Sequence, residues 1–226
     1  MKLSRCIKKG DNSDPKNYRP VTLLSCIGKL FTSIINERLN DYSREVNLIL
    51  ENQAGFRKNF GTVDHIFTFH CILEIFKKLK KPLYCAFIDF EKAFDTVWRI
   101  GLWNKVLVNC NIDGKCFKII KNMYQGIKAK IKVNGALSDS FPCQIGVRQG
   151  ENLSPFLFSI YLNDLESFLS EKNVAGLQNL SYSIENELHV YIKLFALLYA
   201  DDTILLAERA NDLQYFLNTF SDYCNK

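Results

Sequence analysis

The sequence predicts an α+β fold, because helical segments come first and a mixture of strands and helices follows. Apolar residues recur at helical spacing in two segments before residue 81, and strand-like segments appear from residue 83 onward. A hairpin signal, Asn134-Gly135 between two strand-like segments, indicates antiparallel pairing. No repeat or low-complexity tract interrupts the 226 residues, so they form one large domain or two closely packed subdomains.

The individual elements follow from periodicity and from residues that start and stop helices. Ser154 and Pro155 predict a helix start, as N-cap and first helical residue. The nearly continuous apolar run over 83–90 predicts a strand that is buried on both faces. The predicted helices span about 26–42, 62–80, 99–109, 113–125, 153–169 and 210–224. The predicted strands span 83–90, the two sides of Asn134-Gly135, 187–200 and 203–208.

The composition is that of a globular protein, and it permits a nucleic-acid partner without demonstrating one. Hydrophobic residues make up 47% and charged residues 23%, with a formal net charge of +5. The basic groups KLKK (78–81) and KAKIK (128–132) are short, which is more typical of a solvated face than of a binding surface. The eight cysteines form no C-x-x-C pair and there are three histidines, so no spacing resembles a zinc site.

The sequence also bears on where the protein works. The N-terminal MKLSRCIKKG lacks the apolar core of a signal peptide, and no apolar run reaches the length of a membrane span. Cysteines inside apolar runs, such as Cys85, are typical of a reducing compartment. We therefore expect an intracellular protein of the nucleus or the cytoplasm, neither secreted nor bound to a membrane.

Two adjacent carboxylates interrupt the apolar stretch FALLYADDTILLA, which runs from Phe195 to Ala207. Burying the carboxylates of Asp201 and Asp202 side by side is unfavourable unless a turn, a basic partner or a metal ion offsets it. The flanking strands predict that both residues lie at the tip of a strand–turn–strand unit. A plain hairpin turn is the alternative, since aspartate favours turns, although no glycine or asparagine stands beside this pair.

A third carboxylate occupies a similar position elsewhere in the chain. In CAFIDFEKAFD, Asp89 comes at the C-terminal end of the apolar strand. If both strands deliver their carboxylates to one sheet edge, the oxygen ligands suit Mg²⁺. Two such ions would clamp the attacking and leaving oxygens of a phosphoryl transfer. The alternative is that Asp89 caps the following helix.

Five blocks stand in order along the chain: NYRPVTLLSCIGKLF, NQAGFRKNFGTVDHI, FIDFEKAFDTV, GVRQGENLSPFLFSIYLNDL and YADD. They lie within the stretch from Asn17 to Cys224, which is almost the whole chain. The first two are similar to fingers motifs, the third to the first palm motif, the fourth to the Gly-Gln motif, and YADD to the catalytic motif of reverse transcriptases. In these blocks the chain resembles the reverse transcriptase domain of non-LTR (LINE-type) retrotransposons.

The resemblance implies a right-hand polymerase fold, with fingers over 1–80 and palm over 81–226, and helices packed on an antiparallel palm sheet. The family continues into another palm strand and a thumb, and many of its elements carry an endonuclease upstream. We therefore expect an incomplete palm without thumb or endonuclease. This chain departs from the family at Gly150-Glu151-Asn152, where the usual residues are Gly-Asp-Pro.

The resemblance implies that Asp89 and Asp201 ligate two Mg²⁺ ions, for which Mn²⁺ could substitute. Asp202 would stand beside them as a third catalytic and metal-binding carboxylate, and the backbone carbonyl of Phe90 would be an additional ligand. Arg57 would reach the triphosphate of the incoming nucleotide, since a guanidinium suits phosphate geometry.

The other implied nucleotide contacts come from two blocks. Phe94 occupies the aromatic position that crowds the sugar 2′-position and favours deoxynucleotides, with a core phenylalanine as the alternative. Gln149 and Gly150 would lie against the incoming nucleotide and the template, where glycine permits close backbone approach. Arg148 would pair a phosphate or hold its own loop, and the residues leave both alternatives open.

Two functions from different classes remain at this point. The first is an RNA-directed DNA polymerase core that adds deoxynucleotides to the 3′-hydroxyl of a DNA primer on an RNA template. The alternative is a catalytically inactive retrotransposon-derived fragment with residual RNA or DNA binding. A polymerase that copies DNA is a third reading, which the aromatic Phe94 and the fingers motifs disfavour.

Overall fold

The structure is a computed structural model of the chain. The residues that it describes are 2–7, 11, 14, 17–50, 53–57, 60–133, 135–184, 188–194 and 196–225. The chain forms two compact units, which interleave in sequence. Unit 1 comprises Met1–Leu48 and Lys92–Tyr161, and unit 2 comprises Ile49–Glu91 and Leu162–Lys226. The functional division into fingers and palm at residue 80 stays a prediction.

Helices and strands follow one another in mixed order. The helices are α1 (Cys26–Glu45), α2 (Thr62–Lys78), α3 (Ala93–Thr96), α4 (Arg99–Asn104), α5 (Gly114–Tyr124), α6 (Ser154–Leu162), α7 (Leu165–Glu171) and α8 (Ala210–Cys224), and one π-helical turn (Lys105–Asn109) continues α4. The strands are β1 (Lys2–Ile7), β2 (Tyr18–Leu23), β3 (Tyr84–Asp89), β4 (Lys128–Val133), β5 (Ala136–Leu137), β6 (Phe141–Pro142), β7 (Leu177–Ile184), β8 (Leu188–Leu194), β9 (Ala196–Tyr199) and β10 (Asp202–Ala207).

Unit 1 contains a sheet of order β2-β1-β4-β5, in which β6 also pairs with β4. Strand β1 runs antiparallel to β2 and parallel to β4. The predicted hairpin is confirmed by the antiparallel pairing of Val133 with Ala136 and of Lys132 with Leu137. Its turn residue Asn134 lies outside the described residues. Helix α1 begins where predicted, because the Ser25 side chain accepts a hydrogen bond from the Gly28 N–H at 3.1 Å.

Unit 2 contains an antiparallel sheet of order β3-β10-β9 and a two-stranded hairpin of β7 and β8. Helices pack on the three-stranded sheet through two apolar clusters. The larger cluster is Leu165, Leu169, Val174, Ala196, Leu198, Leu205, Phe216 and Phe220, and the smaller is Ile72, Phe76, Leu177 and Leu206. Burying these side chains fixes the sheet from which the carboxylates project.

The prediction that β3 is buried on both faces is wrong. The Phe87 side chain is 70% exposed, and the remaining residues of β3 are at most half-buried. Among the described residues β3 pairs with β10 alone, so it lies at the end of its sheet. Successive side chains of a strand point to opposite faces of the sheet, so the face that carries Phe87 is largely uncovered at this position.

The predicted helix over 153–169 is instead two helices, α6 and α7, separated at Asn163-Asp164. The Asn163 side-chain oxygen accepts a hydrogen bond from the Leu50 N–H at 3.2 Å, and the Asp164 carboxylate accepts one from the Tyr223 hydroxyl at 2.6 Å. Both residues at the break between α6 and α7 thus bond to distant parts of the chain, and apolar periodicity does not reveal such bonds. The predicted strand 187–200 is likewise two strands, β8 and β9, and its residues Glu187 and Phe195 lie outside the described residues.

Smaller differences concern α2 and three strands. The helical spacing of α2 places Ile66 and Phe76 on one face, and in the structure Phe76 is buried whereas Ile66 is 66% exposed. Strands β1, β2 and β7 were not predicted from the sequence. Within the part of the chain that the structure describes, no helix is long and apolar enough to cross a membrane.

Candidate active site

The predicted catalytic aspartates lie together in unit 2. Asp89 ends β3 and Asp202 begins β10, and the two residues stand directly opposite each other in the antiparallel register. Opposed residues of antiparallel strands have Cβ atoms roughly 4.5–5.5 Å apart on one face of the sheet. Asp201 precedes Asp202 in the turn between β9 and β10 and is half-buried, whereas Asp89 and Asp202 are exposed. The predicted strand–turn–strand unit is therefore present.

The turn that carries Asp201 contains an unusual backbone conformation. Ala200 has φ +59°, in the left-handed region where a residue with a Cβ is disfavoured by about 1–2 kcal/mol. Its N–H donates to the side-chain oxygen of Gln53 at 3.2 Å, and that oxygen also accepts from the Gly55 N–H at 2.9 Å. The strained Ala200 is therefore hydrogen-bonded to the segment 53–55.

The donor chemistry of the three aspartates fits a divalent cation, because Mg²⁺ prefers carboxylate and other oxygen ligands. Register places two carboxylates opposite each other and a third in the adjacent turn. Among the residues described, no three or more histidine, cysteine, aspartate or glutamate side chains already converge on a shared metal position. The three side chains thus supply the ligand type that Mg²⁺ prefers.

Phe90 and Arg57, also predicted for the site, belong to the same unit. The half-buried ring of Phe90 packs against Phe220, with 5.7 Å between ring centroids. The Arg57 guanidinium donates to the backbone carbonyls of Leu50 at 3.0 Å and Gln53 at 3.5 Å. It also lies over the Phe60 ring at 4.2 Å. Arg57 therefore braces its own loop here, and its contact with a triphosphate stays a prediction.

The remaining predicted residues, Phe94, Arg148, Gln149 and Gly150, lie in unit 1. The Gln149 carbonyl accepts a hydrogen bond from the Thr22 N–H at 2.9 Å, which fixes the loop against β2. Gly150 has φ +94°, a conformation that glycine adopts without strain. The close approach of Gly150 and Gln149 to a nucleotide or template stays a prediction.

Phe94 supports the same loop from the other side. Its carbonyl accepts a hydrogen bond from the Val147 N–H at 2.7 Å. Its half-buried ring stacks on Phe158, with 5.0 Å between centroids and 15° between ring planes. The packing role, which the sequence left as the alternative, is therefore present, and the contact with a sugar stays a prediction.

A cavity of about 850 Å³ opens in unit 1 beside this loop. Side chains with polar groups line it at Lys92, Asp95, Arg148 and Gln149. Most of the remaining wall is apolar, with Tyr18, Pro20, Ile131, Leu137, Ile145 and Val147 among its residues. A concave, mainly apolar cavity with a few polar groups is typical of a small-molecule or nucleotide site.

A buried polar network holds the loop from beneath. The Glu151 side chain is fully buried, and its carboxylate accepts hydrogen bonds from Arg148 at 3.0 Å and from the Tyr124 hydroxyl at 2.8 Å. Ser154 lies 3.4 Å from the same carboxylate, so its hydroxyl contacts Glu151, although the sequence predicted it as the helix cap. Arg148 also donates to the Met123 carbonyl. Its loop-holding alternative is thus the one seen here.

Tyr124 lies at the centre of this network. The guanidinium groups of Arg99 and Arg148 lie 5.1 Å and 5.0 Å from its ring centroid. Burial, and next the negative charge of Glu151, raise the pKa of the Tyr124 hydroxyl well above its usual range. Arg99, itself buried, donates to the carbonyls of Gly146 and Cys143, both at 2.7 Å. The loop is therefore held by two arginines: Arg148 binds the Glu151 carboxylate, and Arg99 binds backbone carbonyls of the loop.

Some residues of these sites carry little sequence signal. Gln53 was part of the NQAGF block, but nothing in that block indicates that its amide reaches the turn at Ala200. Glu151 stood out as a departure from the family pattern, whereas Tyr124 and Arg99 had no distinguishing neighbours. Such partners are separated by up to 147 residues along the chain, which local patterns do not encode.

Comparison with known proteins finds similarity along almost the whole chain, in both units. The family described as reverse transcriptase (RNA-dependent DNA polymerase) matches residues 7–226. A probable RNA-directed DNA polymerase from transposon BS of Drosophila melanogaster is 32% identical over 222 residues, or 94% of this chain. The RNA-directed DNA polymerase from mobile element jockey of Drosophila funebris is 29% identical over 222 residues, also 94% of the chain. The chain spans 22% of the length of each of these two relatives.

Solved structures show the same fold at much lower identity. Telomerase from Candida albicans, solved with a TWJ fragment of telomeric RNA, matches with a TM-score of 0.63 and 13% identity, over 97% of this chain and 38% of that one. Apo telomerase from Candida tropicalis, truncated from its C-terminal domain, matches with a TM-score of 0.57 and 14% identity, over 91% and 44%. The predicted α+β class and the reverse transcriptase fold are thereby confirmed.

Proposed function

Because the chain belongs to the reverse transcriptase (RNA-dependent DNA polymerase) family, we propose that it supplies the nucleotide-adding core of a non-LTR retrotransposon polymerase. The family is generally metal-dependent and is enzymatic. Its relatives include RNA-directed DNA polymerases of mobile elements. The proposed reaction joins a deoxynucleotide to the 3′-hydroxyl of a DNA primer on an RNA template and releases pyrophosphate.

One observation carries the proposal: the register that sets Asp202 opposite Asp89, with Asp201 in the adjoining turn. Three carboxylates at one end of two strands supply the oxygen ligands that a two-ion Mg²⁺ site requires. Asp89, Asp201 and Asp202 are proposed to hold the ions, together with the Phe90 carbonyl. When bound, the ions supply charge neutralisation at the attacking and leaving oxygens.

The other residues are proposed to bind and orient the substrates. Gln149 and Gly150 would contact the nucleotide or template, which is supported by the open cavity that Gln149 lines. Phe94 would exclude a 2′-hydroxyl, and Arg57 or Arg148 would contact phosphates. Positioning and charge stabilisation then account for most of the rate, since phosphoryl transfer demands little covalent chemistry from the protein.

Primer extension on an RNA template tests this proposal. The assay supplies a DNA primer, deoxynucleotides and Mg²⁺, and compares the wild type with Asp201→Asn and with Asp222→Asn. Asp222→Asn removes the same charge from an exposed position on α8 and serves as the matched control. We expect extension by the wild type and the control, and a loss of at least about 10²-fold in Asp201→Asn.

RNA binding, measured by fluorescence anisotropy in parallel, separates the possible outcomes. Asp201→Asn should bind primer–template about as well as the wild type, because the change removes a metal ligand and no phosphate contact. Equal loss of binding and extension would assign Asp201 a folding role. A folded wild type that binds RNA yet never extends a primer would favour the inactive fragment.

A further inference from the structure

The outer edge of β9 is covered by the segment Gln53–Gly55, which reaches it from a different part of unit 2. The Ala54 N–H donates to the Leu198 carbonyl at 2.9 Å, and Gln53 forms an isolated parallel bridge with Leu198. A ring nitrogen of His65, on α2, lies 2.9 Å from the same carbonyl. An end strand that would otherwise present unpaired backbone groups is thus bonded just before the catalytic turn.

Gln53 extends this contact from the strand into the turn. Its side-chain oxygen accepts from the N–H groups of Gly55 at 2.9 Å and Ala200 at 3.2 Å. Two donors converge on one atom, so that atom is the amide oxygen and not the amide nitrogen. The Gln53 side chain is 1% exposed, which shields both bonds from water.

The other end of the same amide is unsatisfied. Among the described residues the buried Gln53 Nε2 has no hydrogen-bond partner. Leaving a buried donor unpaired is unfavourable, and an apolar side chain of similar length would avoid that penalty. A glutamine at this position therefore indicates that its oxygen contributes something that an apolar residue would lack.

The residue that the oxygen contacts is the strained one. Ala200, at φ +59°, immediately precedes Asp201 and is itself buried. The backbones also meet closely, because a Cβ placed on Gly55 would lie 2.1 Å from the Ala200 nitrogen. A left-handed alanine persists only where surrounding contacts hold it, and the Gln53 bond acts on its own peptide group.

We propose that Gln53 is a positioning residue for Asp201: its amide oxygen holds the Ala200 peptide in the left-handed turn and thereby sets the direction of the Asp201 carboxylate. The proposal rests on the proposed function for its catalytic meaning. The bond to Ala200 is a property of the turn and can be tested whether or not the chain extends primers.

Amide hydrogen exchange of the full chain, followed by NMR, measures the turn directly. Gln53→Met keeps the length of the side chain and removes the acceptor, so the Ala200 amide should exchange about tenfold faster. Gln53→Glu keeps an acceptor oxygen and should restore protection to within about threefold of the wild type. Thr203→Val is the matched control, since it removes a buried hydroxyl that has no partner among the described residues and lies beside the same turn.

Primer extension under saturating primer–template adds the functional reading. In Gln53→Met we expect kcat to fall about tenfold or more while the Kd for primer–template stays within twofold, because the carboxylate is misdirected and no nucleic-acid contact is removed. Thr203→Val should change neither quantity. A merely structural role would instead lower the amount of folded protein and leave kcat per folded molecule unchanged.

The outcomes separate this proposal from the proposed function. Unchanged protection of Ala200 in folded Gln53→Met, or unchanged kcat despite lost protection, would overturn the positioning role. Absence of extension by the wild type would count against the proposed function alone, and the exchange data would still test the bond. If Gln53→Met does not fold, the wild type still tests the proposal through the exchange rate of its Ala200 amide. Exchange as fast as in an unstructured peptide would contradict the proposal.

Discussion

The turn of unit 2 that carries Asp201 and the loop of unit 1 that carries Gln149 are fixed in opposite ways. The turn contains a strained alanine and is held by backbone bonds and one neutral amide, that of Gln53. The loop places glycine where φ is positive and is held by a buried charged network centred on Glu151. A neutral support adds no further charge beside three carboxylates, whereas the acidic residue of the loop, Glu151, is buried and paired with Arg148.

The difference has energetic consequences. Removing one of two buried, hydrogen-bonded charged side chains is strongly destabilising, because the other charge remains buried without its partner. A single neutral bond contributes little by itself, on the order of 1 kcal/mol. The loop should therefore respond to mutation mainly through stability, and the turn mainly through local geometry.

The largest expected effect comes from breaking the network of the loop. Glu151→Ala leaves Arg148 and the Tyr124 hydroxyl without their shared carboxylate, so the free energy of unfolding should fall by about 3–5 kcal/mol. Urea unfolding followed by circular dichroism measures the change, with exposed Asp139→Ala as control. A loss under about 1 kcal/mol would show that the network is not a stabilising unit.

A medium effect, dependent on pH, comes from Tyr124→Phe. At neutral pH the lost hydrogen bond to Glu151 should lower the free energy of unfolding by about 1–3 kcal/mol. Because the folded state raises the pKa of Tyr124, its contribution is complete below the unfolded pKa of about 10 and is lost as pH rises toward the folded value. Urea unfolding between pH 8 and 10.5 should therefore show the wild type losing stability relative to the variant. A gap that stays constant with pH would contradict this account of Tyr124.

The smallest expected effect on stability comes from a change in the turn, at Ala200. Ala200→Gly removes the left-handed strain at φ +59°, so the protein should be more stable by up to about 1 kcal/mol. Differential scanning calorimetry should record a small rise in Tm. A lower Tm would mean that chain entropy outweighs the strain, and that the turn is not held under tension.

Sequence patterns predicted the parts of the site that depend on local order. The Asp201-Asp202 turn, the strand ending at Asp89 and the antiparallel hairpin near Gly135 follow from apolar runs and turn residues, and all are present. Buried and exposed faces were predicted less well, as Phe87 and Ile66 show. Exposure depends on which elements cover a face, and apolar character alone does not determine it.

The sequence by itself determined the family, most of the helices and the residue types at the site, because these are properties of neighbours along the chain. Tertiary structure alone decided that Asp202 stands opposite Asp89, that Gln53 reaches Ala200, and that Glu151 joins Arg148 to Tyr124. Those contacts depend on register and on packing between distant segments. A hydrogen bond forms at a distance near 3 Å whatever the number of residues between its partners, and so local sequence carries no record of it.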